Sequence, residues 1–392
     1  MVKVRTGGRR SGLTKLFSDF VDSEKSGGLV LIGCTVISLV LANSSLGHNY
    51  HDFWSTVVGG HTVEQWVNDG LMTIFFLLIG LELEREVYIG ELSNLREALL
   101  PLFAALGGML VPAAIYLLFN YGTATQSGSG VPMATDIAFA LGVLSLLGKR
   151  VPSSLKVFLA ALAVIDDLGA IIIIAIFYTG DIQFTNLFIS LGIFALLLVL
   201  NRLRVRNLIP YLVAGSVMWY FMMNSGVHAT ISGVLLAFAI PFGNGDSKST
   251  SYILQNFLHK PVAFIILPVF ALANTAILLS NDFIGTLTED YSLGVALGLI
   301  AGKPAGIFLF SLAAVKAGFC RLPGELSWRT IAAVGFLGGI GFTMSIFITL
   351  LAFDDADIIR NVKLVILLSS LVAGLIGYTA LKISLKNAAR RR

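Results

Sequence analysis

Four ionisable residues stand inside long apolar stretches of this chain: Asp136 in PMATDIAFALG, Asp166 and Asp167 in LAVIDDLGAIIIIAIFYT, and Lys303 in GKPAGI. At the middle of a bilayer each such charge costs about 2.5–3.5 kcal/mol, so the four together cost on the order of 10–14 kcal/mol. That rivals the net stability of a whole domain. Pairing Lys303 with one aspartate removes part of the cost, and protonating another removes more. A structural ion pair accounts for one acid and one base, not for three acids.

Adjacent residues on a helix point about 100° apart, so Asp166 and Asp167 do not face one spot equally. One is expected to face an ion while the other meets Lys303 or a proton. Ala163, Gly169 and Ala170, three or four positions away, are expected to leave room for water or a cation on that face. Thr135, beside Asp136, offers a hydroxyl oxygen. Carboxylate, hydroxyl and carbonyl oxygens are hard ligands that suit a small hard cation. The two cysteines, Cys34 in an apolar run and Cys320 in a basic loop, form no disulfide or transition-metal framework.

Elements that carry charges at such depth must themselves cross a membrane. Of 392 residues 56% are hydrophobic and 13% charged, about half the charge of a soluble domain. Apolar segments run Gly28–Ala42, Trp66–Leu83, Leu99–Phe119, Val131–Leu147, Leu155–Tyr178 and Leu187–Leu200. Six more follow at Leu208–Met222, Val227–Ile240, Val262–Leu279, Leu293–Val315, Ile331–Phe353 and Val362–Leu381. Several fall short of the roughly 20 residues that span hydrocarbon.

The basic residues support the count of twelve. With the N-terminus inside, all of the 27 lysines and arginines except Lys303, Arg360 and Lys363 fall in the two tails or in alternate, inner loops. The outer loops hold Arg360 and Lys363 among acids such as Asp181, Asp282, Glu289, Asp290, Asp354 and Asp355. One miscounted helix would invert every later loop and destroy the alternation. The expected architecture is an all-α polytopic membrane protein of twelve transmembrane helices with both ends cytoplasmic. It comprises a tail at 1–26, one transporter domain at 27–385 and a basic tail at 386–392. Arg9-Arg10 reads as part of the basic tail rather than as a twin-arginine export signal, because no small-residue cleavage site follows.

The third to fifth and tenth to twelfth spans lie seven helices apart and so cross in opposite directions. These inverted repeats cover approximately 97–180 and 292–385. The middle span of each, PMATDIAFALG and GFLGGIGFTMS, carries Gly and polar residues near mid-depth. Such spans either break, freeing backbone groups to bind ions, or pack closely on a neighbour. Interrupted spans at matching positions of inverted repeats point to a transporter's binding site.

The segments LAVIDDLGAIIIIAIFYT, ATDIAFALG, GKPAGI, SGVHATISG and GIGFTMSIF resemble, in order along nearly all the spans, the NhaA-type sodium/proton antiporters of bacterial inner membranes. That family is itself one of the cases behind the link between inverted repeats and binding sites, so repeat pattern and resemblance are not independent. The resemblance implies exchange of Na+, and also Li+, for H+, electrogenic and pH-regulated, serving sodium and pH homeostasis. It implies that Asp166 and Asp167 bind the cation and protons, and that Asp136 and Lys303 balance partial charges where broken helices cross. Lys303 either carries a proton itself or holds the site together. A cytoplasmic funnel near Glu82, Glu84 and Arg85 is implied to take part in the pH response, with His228 and His259. Two departures stand out. Gln255-Asn256 replaces an acid and a histidine of the family pattern, which puts the pH response in doubt. The first outer loop, GHNYHDFWSTVVGGHTVEQW, looks short for the β-hairpin that joins two protomers, so a homodimer stays open. His48, His51 and His61 in that loop read as solvated histidines rather than a metal site.

Two other functions compete. A sodium-coupled symporter of an organic anion needs a roomier substrate site. An intramembrane aspartyl protease needs two aspartates on separate helices, usually on a Gly-x-Gly-Asp pattern that is absent. Gly302-Lys303 lacks the spacing of a nucleotide loop. The expected partners are therefore Na+, Li+ and H+ as cargo and the lipid bilayer, with no cofactor and no nucleic acid.

Overall fold

The computed structural model describes residues 9–278, 283–324 and 326–389. Outside them lie Asp282, the expected end of the ninth span at Leu279, and the outermost tail residues. The described chain is almost entirely helical. Helix α1 (Arg9–Ala42) turns by 113° between Ala42 and Gly47 into α2 (Gly47–Ser55). A hairpin of β1 (Val57–Val58) and β2 (His61–Thr62) follows. Its two-residue turn is Gly59-Gly60, with φ of 62° and 90°, the left-handed backbone that such a turn demands and glycine supplies. The loop expected to be short for a hairpin thus does hold one, of two residues per strand. Thr62 then caps α3 (Val63–Tyr88) through a reciprocal box with Gln65.

The chain continues through α4 (Leu95–Asn120), a 3-10 turn at Gln126–Met133 and α5 (Ile137–Ser145). After it come α6 (Ser153–Phe177), α7 (Phe184–Arg202), α8 (Leu208–Met223), α9 (Ile231–Ala239) and α10 (Thr250–Asn274). Past the short α11 (Phe283–Thr288) lie α12 (Asp290–Lys316), α13 (Trp328–Gly338), α14 (Phe342–Ala352) and α15 (Ala356–Ala389). Among the described residues eight helices are long and apolar enough to cross a membrane, or up to ten if each of two bent pairs is one span. One such pair is α13 and α14, which meet at 48°. The expected seventh and eighth spans fall on α8, 16 residues, and α9, 9 residues. At 1.5 Å per residue these reach only about 24 and 14 Å against a hydrocarbon core of about 30 Å.

Packing divides the helices. Helices α4, α6, α12, α13, α14 and α15 pack on one another, α3 and α7–α10 form a second group, and α1 lies against α5 and α10. The tightest seam joins α4 to α12. A β-carbon on Gly107 would strike the Gly306 carbonyl oxygen, and one on Gly306 would strike that of Gly107. Close backbone approach of this kind is how apolar helices gain contact when lipid offers no hydrophobic drive.

Lys363 departs from the outer-loop reading. It is buried in α15, where Nζ donates to Asn274 Oδ1 at 3.1 Å and stands 3.6 Å from Glu64 Oε1. Asn274 in turn donates to Asn68 Oδ1 at 2.7 Å.

Candidate ion-binding site

The site is built where two helices break. Residues Ala134–Asp136 are extended between the 3-10 turn and α5, and Gly339–Gly341 separate α13 from α14. Each break strands backbone N–H groups at the start of a new helix. Asp136 meets both sets. Its Oδ1 accepts from Phe139 N at 2.9 Å, capping α5, and its Oδ2 accepts from Thr343 N at 3.0 Å and from the Thr343 hydroxyl at 2.5 Å, capping α14. An acid suits this place because two helix N-termini converge their partial positive charge on it. Asp136 N donates to the Ile340 carbonyl at 2.7 Å, Ser345 Oγ to that of Val131 at 2.7 Å, and Phe342 N to Ser370 Oγ at 3.1 Å. The crossing therefore satisfies within the protein the backbone groups that lipid would leave bare.

Lys303 supplies the opposite sign at the opposite ends. Its side chain is fully buried, its Nζ donates to the carbonyl of Met133 at the end of the 3-10 turn, and it stands 3.0 Å from Asp166 Oδ2. Its stem runs past Gly108 and Gly338, two glycines whose missing side chains chiefly make room for Ile307 beside it. The Thr135 hydroxyl lies 2.7 Å from Asp166 Oδ2 and 2.9 Å from the Gly338 carbonyl. It has one proton and serves one of these acceptors at a time.

Asp166 and Asp167 are both 1% exposed. Oδ1 of each is buried without a hydrogen-bond partner. Buried polar atoms are almost always partnered, so two such carboxylate oxygens on neighbouring residues call for a cation, a proton or a bound water. Asp166 meets Lys303 and the Thr135 hydroxyl, whereas Asp167 Oδ1 has no hydrogen-bond partner among the described residues. One expectation fails. The space beside Gly169 is filled, since a β-carbon there would run into the Met109 sulfur. At this position a side chain of α4 occupies the space that helical spacing marks as open. Asp136 spends both oxygens on donors from the two helix starts.

The remaining residues lie elsewhere. His259 Nε2 stands 3.5 Å from Glu82 Oε1, and the Arg85 guanidinium lies 5.8 Å from the centre of the Tyr252 ring, so α3 and α10 bring these four together. Glu84 and Gln255 are buried, and Glu84 Oε2 has no hydrogen-bond partner among the described residues. His228 Nε2 lies 2.6 Å from the Tyr178 carbonyl oxygen, which makes that nitrogen the donor. Tyr178 closes α6 about 16 Å along the helix from Asp167. His48 stands 3.4 Å from Asp52, and no group of three or more metal-ligating side chains occurs among the described residues. Reading the residues alone missed Thr343, Ser345, Ser370 and the Met133 carbonyl; the polar letters of GFTMS marked the region without naming the partner.

Comparison with known proteins adds an independent line. Residues 18–381 match the family model described as Na+/H+ antiporter 1. The chain is 68% identical over 375 residues to the Na(+)/H(+) antiporter NhaA of Flavobacterium psychrophilum, covering 96% of this chain and 98% of that protein. It is 62% identical over 374 residues to the NhaA of Cytophaga hutchinsonii, covering 95% and 97%. With the NhaA of Vibrio cholerae it shares 49% over 377 residues, covering 95% and 99%.

Proposed function

We propose, for a chain that belongs to the Na+/H+ antiporter 1 family and exchanges Na+ for H+ across a membrane, that Asp166 and Asp167 are the shared site of the two ions. The observation that carries this is the pair of buried Oδ1 atoms without donors beside a Thr135 hydroxyl. Sodium binds across the two carboxylates once they have lost their protons, and protonation expels it. Asp136 and Lys303 hold the crossing together, the acid on two helix N-termini and the base on a C-terminal carbonyl. Lys303 neutralises Asp166 in the state that holds neither sodium nor a proton on that carboxylate. Two protons leaving for each sodium bound would make exchange electrogenic and responsive to voltage. Lithium, smaller and equally hard, follows the same route.

Twelve spans are the architecture we assign, with α8 and α9 as the short seventh and eighth and both termini on the cytoplasmic side of a bacterial inner membrane. The broken middle helices of α4–α6 and of α12–α15, packed across the Gly107–Gly306 seam, support the inverted repeat. The exposed Val57 and Val58 of the hairpin support a homodimer, since an open strand edge is a template for pairing. The Glu82, Arg85, Tyr252 and His259 group, with buried Glu84, is assigned to the pH response.

Sodium binding to purified protein, measured against pH, tests the shared site. Each proton displaced weakens sodium binding about 10-fold per pH unit on acidification. Asp166→Asn and Asp167→Asn, which keep shape but lose charge and proton, each abolish exchange in everted vesicles while the protein still inserts. Sodium affinity that stays level across the pH range, or near-normal exchange by both variants, refutes the assignment.

A further inference from the structure

A cavity of about 330 Å³ opens where α5 ends and the last turns of α15 pass it, lined by Leu146, Leu147, Arg150, Tyr378, Lys382 and Leu385. Three of its six lining residues are leucines, one is a tyrosine and two are cationic. Lys382 Nζ stands 5.6 Å from the centre of the Tyr378 ring, so the aromatic face holds the ammonium at the cavity. No carboxylate among the described residues forms an ion pair with Arg150 or Lys382. Two cations beside a cavity with no acid of their own call for an anion.

Depth identifies the kind of anion. Asp136 marks the break in one helix, and α5 carries the chain nine residues from it, about 14 Å, before Leu146. Ser370 binds Phe342 N at the other break, and along α15 Tyr378 and Lys382 lie about 12 and 18 Å beyond it. Half a hydrocarbon core is about 15 Å. Counted this way Tyr378 and Leu146 lie near the hydrocarbon boundary and Lys382 just beyond it, with Arg150 four residues past Leu146, so the aromatic ring and the two cations stand at the level where membrane proteins place such residues. Basic pockets between spanning helices at that level match lipid phosphates.

We propose that this cavity seats the phosphodiester of an anionic glycerophospholipid, with Arg150 and Lys382 on the phosphate oxygens and an acyl chain against Leu146 and Leu147. A zwitterionic lipid fits worse, because the cavity has no carboxylate for its ammonium group. The charge bias of the loops makes this the inner leaflet. The lipid joins the end of α5, whose start Asp136 caps, to α15, whose Ser370 supports the start of α14. The inference does not depend on which ion the protein carries.

The test is lipid binding to the purified full-length protein in detergent, by native mass spectrometry and thermal shift. Its probes are dioleoyl phosphatidylglycerol, dioleoyl phosphatidylcholine and inorganic phosphate. Wild type should bind phosphatidylglycerol in preference to phosphatidylcholine, and inorganic phosphate should not reproduce its stabilisation. Arg150→Gln with Lys382→Gln should weaken phosphatidylglycerol binding about 25-fold, roughly 5-fold for each charge. Lys316→Gln with Arg329→Gln, which removes two exposed charges elsewhere on the basic side, should leave it unchanged. Should the first double variant not fold, Lys382→Gln against Lys382→Arg gives the same reading, about a 5-fold loss against none. Equal binding of both lipids, full stabilisation by phosphate alone, or equal losses in the two double variants overturns the proposal.

Discussion

Replacing Lys303 by alanine removes the cation from a place that water does not reach, and the geometry sets the cost. Asp166 Oδ2 loses an ion partner at 3.0 Å and keeps only the Thr135 hydroxyl, while the Met133 carbonyl loses its donor. Orphaning one half of a buried pair costs about 3–5 kcal/mol. Three methylenes of the stem also vanish from between Gly108 and Gly338, about 2.4 kcal/mol at 0.8 kcal/mol each. Lys303→Met, which keeps the stem, should recover that second part. In an Asp166→Asn background the first part disappears, because a neutral amide needs no ammonium.

The double-mutant cycle of Lys303→Ala and Asp166→Asn should therefore show a coupling of at least about 2 kcal/mol, the double variant being less destabilised than the sum of the singles. Unfolding of purified protein in detergent, followed by tryptophan fluorescence, reads it. The deficit of Lys303→Ala should shrink on acidification, since a protonated Asp166 asks for no partner. Additivity within about 0.5 kcal/mol would mean that the 3.0 Å contact carries no energy of its own, and the account of the charge balance would fall.

Two further outcomes follow from the contacts. Thr343→Val keeps the backbone donor to Asp136 and the β-branched shape but loses the hydroxyl at 2.5 Å; a hydrogen bond to a charged group is worth about 1.5–3 kcal/mol, and Thr343→Ser should retain it in the same unfolding assay. His228→Arg fixes a charge where an imidazole donates to the Tyr178 carbonyl, and should displace the pH profile of exchange without removing its sodium dependence; an unchanged profile would leave His228 as a tie to the end of α6 and nothing more.

The charged residues of the site were legible from composition alone, because a lone acid in a run such as LAVIDDLGA is conspicuous against apolar neighbours. The Gly and hydroxyl residues of the two middle spans were legible too, but the same letters suit a close-packing surface as well as a break. Their consequence was not legible. That Thr343 caps onto Asp136, 207 positions away, depends on how two spans cross, and no local pattern carries that information. Helical spacing likewise located the face beside Gly169 but not Met109, which comes from another helix to fill it. Lys363 escaped for the opposite reason: a basic residue near a span's end reads as loop until its partners Asn274 and Glu64 are seen.

The Gly107–Gly306 seam has a consequence for how this protein can change over time. Each glycine is held to its smallest form by the other's backbone, so enlarging either one pushes both helices apart and no second substitution at the facing position can shrink below hydrogen to make room. Replacing glycine by alanine within a helix ordinarily stabilises a protein; here it acts as a wedge. Because Lys303 lies one turn from Gly306 on the same helix, the wedge would also lengthen the reach to Asp166. Drift toward larger residues is thus closed at this pair while it stays open along the lipid-facing sides of the same two helices, and a catalogue of tolerated variants should show a gap at these two positions.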